Sequence, residues 1–152
     1  MILVSNTSPV IFLDKLKALH LLSNCFSQVF IPNAVYQELH DLDLPSDIQI
    51  RNISDVGKQF VENSIGRLHR GELEVIALSQ EIKADYICLD DLAARNKAQS
   101  LNLQVIGTIG ILKLSYQLQY LSAQVFLQYL DELTQKHGMY LSPKLLYKLK
   151  QL

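Results

Sequence analysis

Residues 69–91 read HRGELEVIALSQEIKADYICLDD, and their reading decides the fold. Gly71 precedes a helix over 72–82, and the acids of its first turn, Glu72 and Glu74, suit the positive end of the helix dipole. An apolar run over 86–89 follows, read as a buried strand, and it ends in the pair Asp90-Asp91. Helix, strand and acidic strand end follow one another within 23 residues.

The same alternation continues outward in both directions. At the N-terminus Ile2, Leu3 and Val4 begin a buried strand over 2–5, and the polar cluster Ser5-Asn6-Thr7-Ser8 closes it. A helix over 9–22 is expected next, with Ser8 as N-cap and Pro9 at its first position. A second strand spans 28–31, and a helix over 33–40 carries Glu38. Residues 41–46 are rich in turn formers, and Ile48, Ile50 and Ile53 suit a small edge strand. A helix over 55–67 has Val56, Phe60 and Ile65 as its apolar positions. Beyond the acid pair come a helix over 92–101, a last core strand over 103–106, and helices over 107–120, 122–136 and from Pro143 onward. Strands separated by helices imply βαβ units and a mainly parallel sheet, hence an α/β fold.

Length and composition fit this reading. The 152 residues suit one domain, 1–152, with a sizeable core, and the 49% apolar share is that of a globular chain. No repeat or long linker divides it. No apolar stretch reaches the roughly 18 residues of a membrane span. The N-terminus lacks the basic residues of a signal peptide, so a cytoplasmic protein is the default expectation. The two cysteines, Cys25 and Cys88, sit in apolar surroundings, unpaired with any metal-ligand spacing, and read as buried free thiols. The net charge of −1 marks no general polyanion binder, but acids gather between Glu38 and Asp91. The tail after Gly138 carries Lys144, Lys148 and Lys150 with no acid. It can attract phosphate, or be an ordinary solvated helix face.

In an open parallel sheet, function sits beyond the carboxyl ends of the strands. Folded this way, Asn6, Glu38, Glu72, Glu74, Asp90 and Asp91 can converge on one rim. Several carboxylates at one rim repel one another unless protonated or bridged by a cation. Oxygen ligands favour Mg²⁺ or Mn²⁺ over zinc, and such ions can clamp a phosphodiester and activate water. Each acid also has a plainer reading. Glu72 and Glu74 can decorate a helix start, Asp91 can cap the helix that follows, and Glu38 can be solvated. No Gly-rich phosphate loop follows the first strand, and His20, His40, His69 and His137 are scattered with no nucleophile signature beside them.

Four segments carry a family resemblance: VSNTSPVIFLDKL, FIPNAVYQELH, LHRGELEVIALSQEIKADYICLDDLAAR and LNLQVIGTIGIL. Together, and in this order, they resemble the PIN-domain family, on the branch of the VapC-like toxins. The resemblance implies a three-layer α/β/α sandwich with a parallel sheet. It also implies a Mg²⁺- or Mn²⁺-dependent endoribonuclease, the toxin of a toxin–antitoxin pair. An RNA substrate, an antitoxin protein and a homodimer would be its partners. Its metal-binding acids fall on Glu38, on Glu72 (or, with a shift of two, Glu74), and on Asp90 or Asp91, which the register does not separate. Ser8 matches a small supporting hydroxyl, and Arg95 stands where it can meet an acid or a phosphate. The first acid is missing: the family pattern reads S-D-T-S-P, and this chain reads Ser5-Asn6-Thr7-Ser8-Pro9. An amide offers a neutral carbonyl oxygen and no charge, which weakens a hard cation's binding. Asn6 is therefore either an inactivating change or a weak ligand in a slow enzyme. A non-catalytic PIN fold that binds RNA or protein is the competing reading. A homodimer would use the apolar helical surface over 109–130 with Tyr116, Tyr120 and Tyr129, unless core packing absorbs it.

Overall fold

A computed structural model describes residues 1–152. Five strands form one sheet: β1 (Ile2–Ser5), β2 (Gln28–Ile31), β3 (Ile48–Ile50), β4 (Tyr86–Cys88) and β5 (Val105–Ile106). Their order is β3-β2-β1-β4-β5, and every neighbouring pair is parallel. Val4 lies opposite Phe30, and Ser5 opposite Cys88. The chain builds outward from β1 to β3 and then returns to β1's other side. The gap between β1 and β4 is thus the topological switch point, where a doubly wound sheet leaves a crevice at its carboxyl edge.

Nine helices surround the sheet: α1 (Thr7–Lys15), α2 (His20–Cys25), α3 (Asn33–Glu38), α4 (Asp55–Ser64), α5 (Arg70–Ile82), α6 (Leu92–Ser100), α7 (Thr108–Gln117), α8 (Ala123–Gln135) and α9 (Pro143–Lys150). The α/β expectation holds, as a three-layer arrangement. Helix α5 lies against β1 and β4 and also packs on α3 and α4, while α2 packs with α7 and α7 with α8. The first four residues of β1 and the run Ile87–Leu89 are almost wholly apolar because parallel strands are covered on both faces. None of the helices is long and apolar enough to cross a membrane.

Several expected boundaries move. The helix over 9–22 is two helices, and α1 begins at Thr7 with Asn6, not Ser8, at its N-cap. Pro9 is the third residue of α1, still inside the first turn, where no N–H is needed. The break follows from the way α1 ends. Ala18 N–H donates to Leu13 O at 2.8 Å and Lys17 N–H to Asp14 O at 2.9 Å, the two bonds of a Schellman closure. Lys17 takes the left-handed conformation, φ 57°, that this closure requires. Lys83, Asn102 and Gln119 do the same after α5, α6 and α7, at φ 53°, 62° and 67°. None of the four is glycine, so the usual stop signal is absent from the sequence. Gly71 lies inside α5 rather than before it, because His69 is the N-cap. On α4 the inward face is Gly57 and Val61, with Phe60 half-buried; Val56 and Ile65 are 81% and 51% exposed.

The thiols are buried and free, as expected. Burial pushes Cys25 up, offset in part by Ser115 at 3.2 Å, and pushes Cys88 well above the ordinary thiol value. Both are packing groups, inert as nucleophiles. Core packing also absorbs much of the 109–130 surface: Ile111, Leu112, Phe126 and Leu130 are buried, and Tyr116 stacks on Phe126 at 5.4 Å.

The left-handed Lys17 gives a direct test. A side chain in that conformation costs about 1 kcal/mol, which glycine avoids. Lys17→Gly should stabilise the protein by about 0.5–1 kcal/mol and raise the thermal midpoint by roughly 2–4 °C in calorimetry. A fall in the midpoint would contradict the closure described.

Candidate active site

At the carboxyl edge of β1 the chain turns directly into α1. Asn6 N–H continues the sheet by donating to Cys88 O at 3.0 Å, which pins the residue between β1 and β4. Its side chain makes no capping bond and faces an open cavity of about 680 Å³. The cavity is almost wholly polar. Asn6, Thr7 and Ser8 come from the start of α1, Glu38 from α3, and His69, Glu72 and Glu74 from the start of α5. The structure thus brings Asn6, Glu38, Glu72 and Glu74, with Ser8, to one cavity.

Within the cavity the acids differ. Thr7 Oγ1 donates to Glu38 Oε2 at 3.0 Å, which orients an otherwise exposed carboxylate. The other oxygen, Glu38 Oε1, presses on Gly71 where a Cβ would stand, and Asn6 Oδ1 lies 3.7 Å from that point. Glycine at 71 is thus what lets Glu38 approach the end of β1. Glu72 is 9% exposed, and its Oε2 is buried without a hydrogen-bond partner. Burial raises its pKa, and the charges of Asp91 and Glu38 raise it further, while His69 opposes the shift through its charge and its backbone. Glu74 has a different role. Its Oε1 accepts from Ala34 N–H at 3.0 Å, in the first turn of α3, so it ties α5 to the helix that carries Glu38.

The two aspartates after β4 also separate. Asp90 accepts from Thr108 N–H at 2.8 Å and from Thr108 Oγ1 at 2.6 Å, clasping the start of α7 to the end of β4. It lines a second cavity, not the one with Glu38 and Glu72. Asp91 caps α6 by accepting from Ala94 N–H at 3.0 Å, and its charge is felt by Glu72. The plain capping role thus holds for Asp91, which nonetheless stands on the site's side of the pair. Arg95 donates to Leu89 O at 2.8 Å and lines the cavity of Asp90, away from Glu38.

Other groups in the cavity were not singled out by spacing. Thr7 lay in the SNTSP cluster and was readable as a hydroxyl, but not as the partner of Glu38. Asn33, Gln37 and Arg70 line the wall, and Arg70 is held by Glu62 at 2.7 Å. His69 joins them because α5 starts two residues earlier than its acids suggest, with His69 as its N-cap.

The donor chemistry fits a hard divalent cation. Every candidate ligand is oxygen, one carboxylate oxygen of Glu72 is buried and orphaned, and the Glu38 carboxylate and the Asn6 amide oxygen meet beside Gly71. No three His, Cys, Asp or Glu side chains are gathered closely enough to hold an ion by themselves.

A family model described as a PIN domain matches residues 2–152. No curated protein matches the chain.

The buried acid makes stability depend on pH with a definite sign. The folded chain holds the Glu72 proton to higher pH than the unfolded chain does. That stabilisation is complete below the unfolded pKa, about 4.3, and is lost as pH rises through the folded value. Glu72→Gln removes the loss, so urea unfolding should show the variant gaining on the parent between about pH 4 and pH 7. An unchanged difference across that window would contradict the burial of an ionisable group here.

Proposed function

The chain belongs to the PIN-domain family, and on that premise we propose that it is a metal-dependent endoribonuclease whose site is weakened at Asn6. The observation that carries the reading is the orphaned, buried oxygen of Glu72 beside Glu38 and Asn6. A buried carboxylate oxygen without a donor is costly, and a cation is the partner its neighbours also require. Glu38, Glu72 and the Asn6 carbonyl would hold Mg²⁺ or Mn²⁺, with Asp91 near enough to add charge. When bound, such an ion polarises a phosphodiester and supplies an activated water.

The chain's own groups divide the remaining work. Thr7 keeps one Glu38 oxygen turned inward, and Gly71 leaves room for the other. Glu74 is a strut rather than a ligand, since its bond to Ala34 fixes α3 against α5. Asp90 holds the end of β4 to α7, and among the two aspartates Asp91 is the better candidate for the site. Ser8 is exposed at the cavity mouth, where it can meet substrate. The role of toxin in a toxin–antitoxin pair, with an antitoxin partner and a homodimeric state, is supported by the likeness of the four segments to VapC-type proteins.

One observation favours a second reading, a non-catalytic PIN fold that binds RNA or protein. With Asn6 in place, fewer than three acids gather around any point. Cleavage of RNA with Mn²⁺ separates the two. Asn6→Asp should tighten Mn²⁺ binding in calorimetry by at least about tenfold, equivalent to 1.4 kcal/mol, and raise the cleavage rate. If neither form binds Mn²⁺ nor cleaves RNA, the enzymatic reading fails and the binding module stands.

Gly71→Ala tests the geometry independently. The added methyl group meets the far end of the flexible Glu38 side chain, so the fold should survive while Glu38 swings away. Mn²⁺ affinity in the Asn6→Asp background should fall several-fold, with an unchanged circular dichroism spectrum. Unchanged affinity would remove Glu38 from the proposed ligand set.

A further inference from the structure

The polar cavity does not exhaust the carboxyl edge of the sheet. Beyond Asp90 a second cavity, of about 490 Å³, opens between β5, the start of α7 and the segment leading into α9. Its floor is apolar, with Ile106, Ile109 and Met139, and Leu145 of α9 borders it. Its size is that of a pocket for a small planar group. Two features of this groove have capacity beyond what the fold uses. Tyr140 lines it yet is 82% exposed, a broad aromatic face left in water. Arg95, half-buried at the sheet end of the groove, uses one hydrogen bond, to Leu89 O, and forms no ion pair.

Helix α9 adds charge beside the groove. Lys144, Tyr147 and Lys148 stand at i, i+3 and i+4, so they share one face, and all three are exposed. Leu149 is buried on another face. Lys150 is paired with Asp131 at 3.8 Å, but Lys144 and Lys148 form no ion pair. From Gly138 to the end of the chain there is no acid to neutralise them. Unpaired cations interleaved with exposed tyrosines, next to an apolar slot, complement a flexible polyanion with planar bases. The one acid of the groove, Asp90, stands beside Arg95 but is taken up by Thr108, so cations remain in excess, and a protein partner would use the apolar floor without needing them.

We infer that this groove is a single-stranded RNA lane: a base stacks on Tyr140 over the apolar floor, and Arg95, Lys144 and Lys148 hold the phosphates on either side. The lane deepens the nuclease reading and rests on it for its purpose. It continues the rim past Asp91 and Asp90, so RNA seated there would present its next phosphates toward Glu72. Binding of bases by stacking is tolerant of sequence, so the lane supplies affinity and register rather than base identity.

The test is fluorescence anisotropy of a labelled single-stranded RNA of about 12 nucleotides on the full chain, in EDTA, so that cleavage plays no part. Tyr140→Ala should weaken binding roughly five- to hundredfold, and Tyr140→Phe should not. The double variant Lys144→Gln, Lys148→Gln should weaken binding at low salt and reduce the slope of log K against log salt by about 1.4, two phosphate contacts on a single strand. Parent-like affinity and slope in these variants would overturn the lane, as would failure of the parent to bind RNA. So would a change of sedimentation mass in the lysine variant with RNA binding intact, which would assign the face to a protein contact. The two readings fail separately. RNA bound through Tyr140 but never cleaved with Mn²⁺ refutes the nuclease and keeps the lane, whereas cleavage with unchanged KM in the variants refutes the lane alone.

Discussion

One backbone hydrogen bond organises the functional edge: Asn6 N–H to Cys88 O, at 3.0 Å. It extends the pairing of Ser5 with Cys88 by one residue past the end of β1. That residue is also the N-cap of α1, so a single position belongs to the sheet and to the helix at once. Its side chain can go nowhere but the crevice at the switch point. The acids are then brought to it by elements packed on the same two strands, α5 against β1 and β4, and α3 against α5. The chemistry at the rim is thus a consequence of where the sheet reverses direction.

The rim is built for charge and is short of it. Glu72 is buried and keeps its proton more tightly than a free acid would, because burial and the charges of Asp91 and Glu38 outweigh the relief from His69. A carboxylate at position 6 would add to that repulsion, and an amide relieves it. An amide at position 6 therefore makes this cavity easier to fold without an ion. The neutral oxygen of Asn6 faces Glu38 beside Gly71, so the two side chains share one wall of the cavity.

Much of the fold was legible because burial writes a simple signal. The runs ILV, VFI and YICL mark strands covered on both faces, and their order with the intervening helices gives the parallel sheet. Helix ends were less legible, because Lys17, Lys83, Asn102 and Gln119 adopt a conformation usually left to glycine. The orientation of α4 was misread because Gly57 and Val61, not Val56, face inward: a glycine on the buried face lets Glu81 and Ile53 close in, and hydropathy gives it no weight. In the site, Asn6 could be named from its place at a strand end and Glu72 from a helix start, while Glu38 was named as the acid on the helix that follows the second strand. The division between Asp90 and Asp91 could not, since it depends on Thr108, 18 residues away in the chain. Nor could Glu74, whose partner is a backbone amide on another helix.

That last bond has a bearing on how the molecule tolerates change. Glu72 and Glu74 are two positions apart on α5, so one reaches the cavity's depth while the other grips the first turn of α3. The spacing between Glu38 and Glu72 is fixed by this grip and by the packing of the two helices. The chain leaves α3 directly after Glu38, and Leu39, buried in the core, holds that end of the helix in place as well. Insertions or deletions in the exposed stretch from Asp41 to Asp47, past this anchor, would change the path to the edge strand β3 rather than the elements that carry the two acids. The loop is free to vary in length while the site keeps its dimensions.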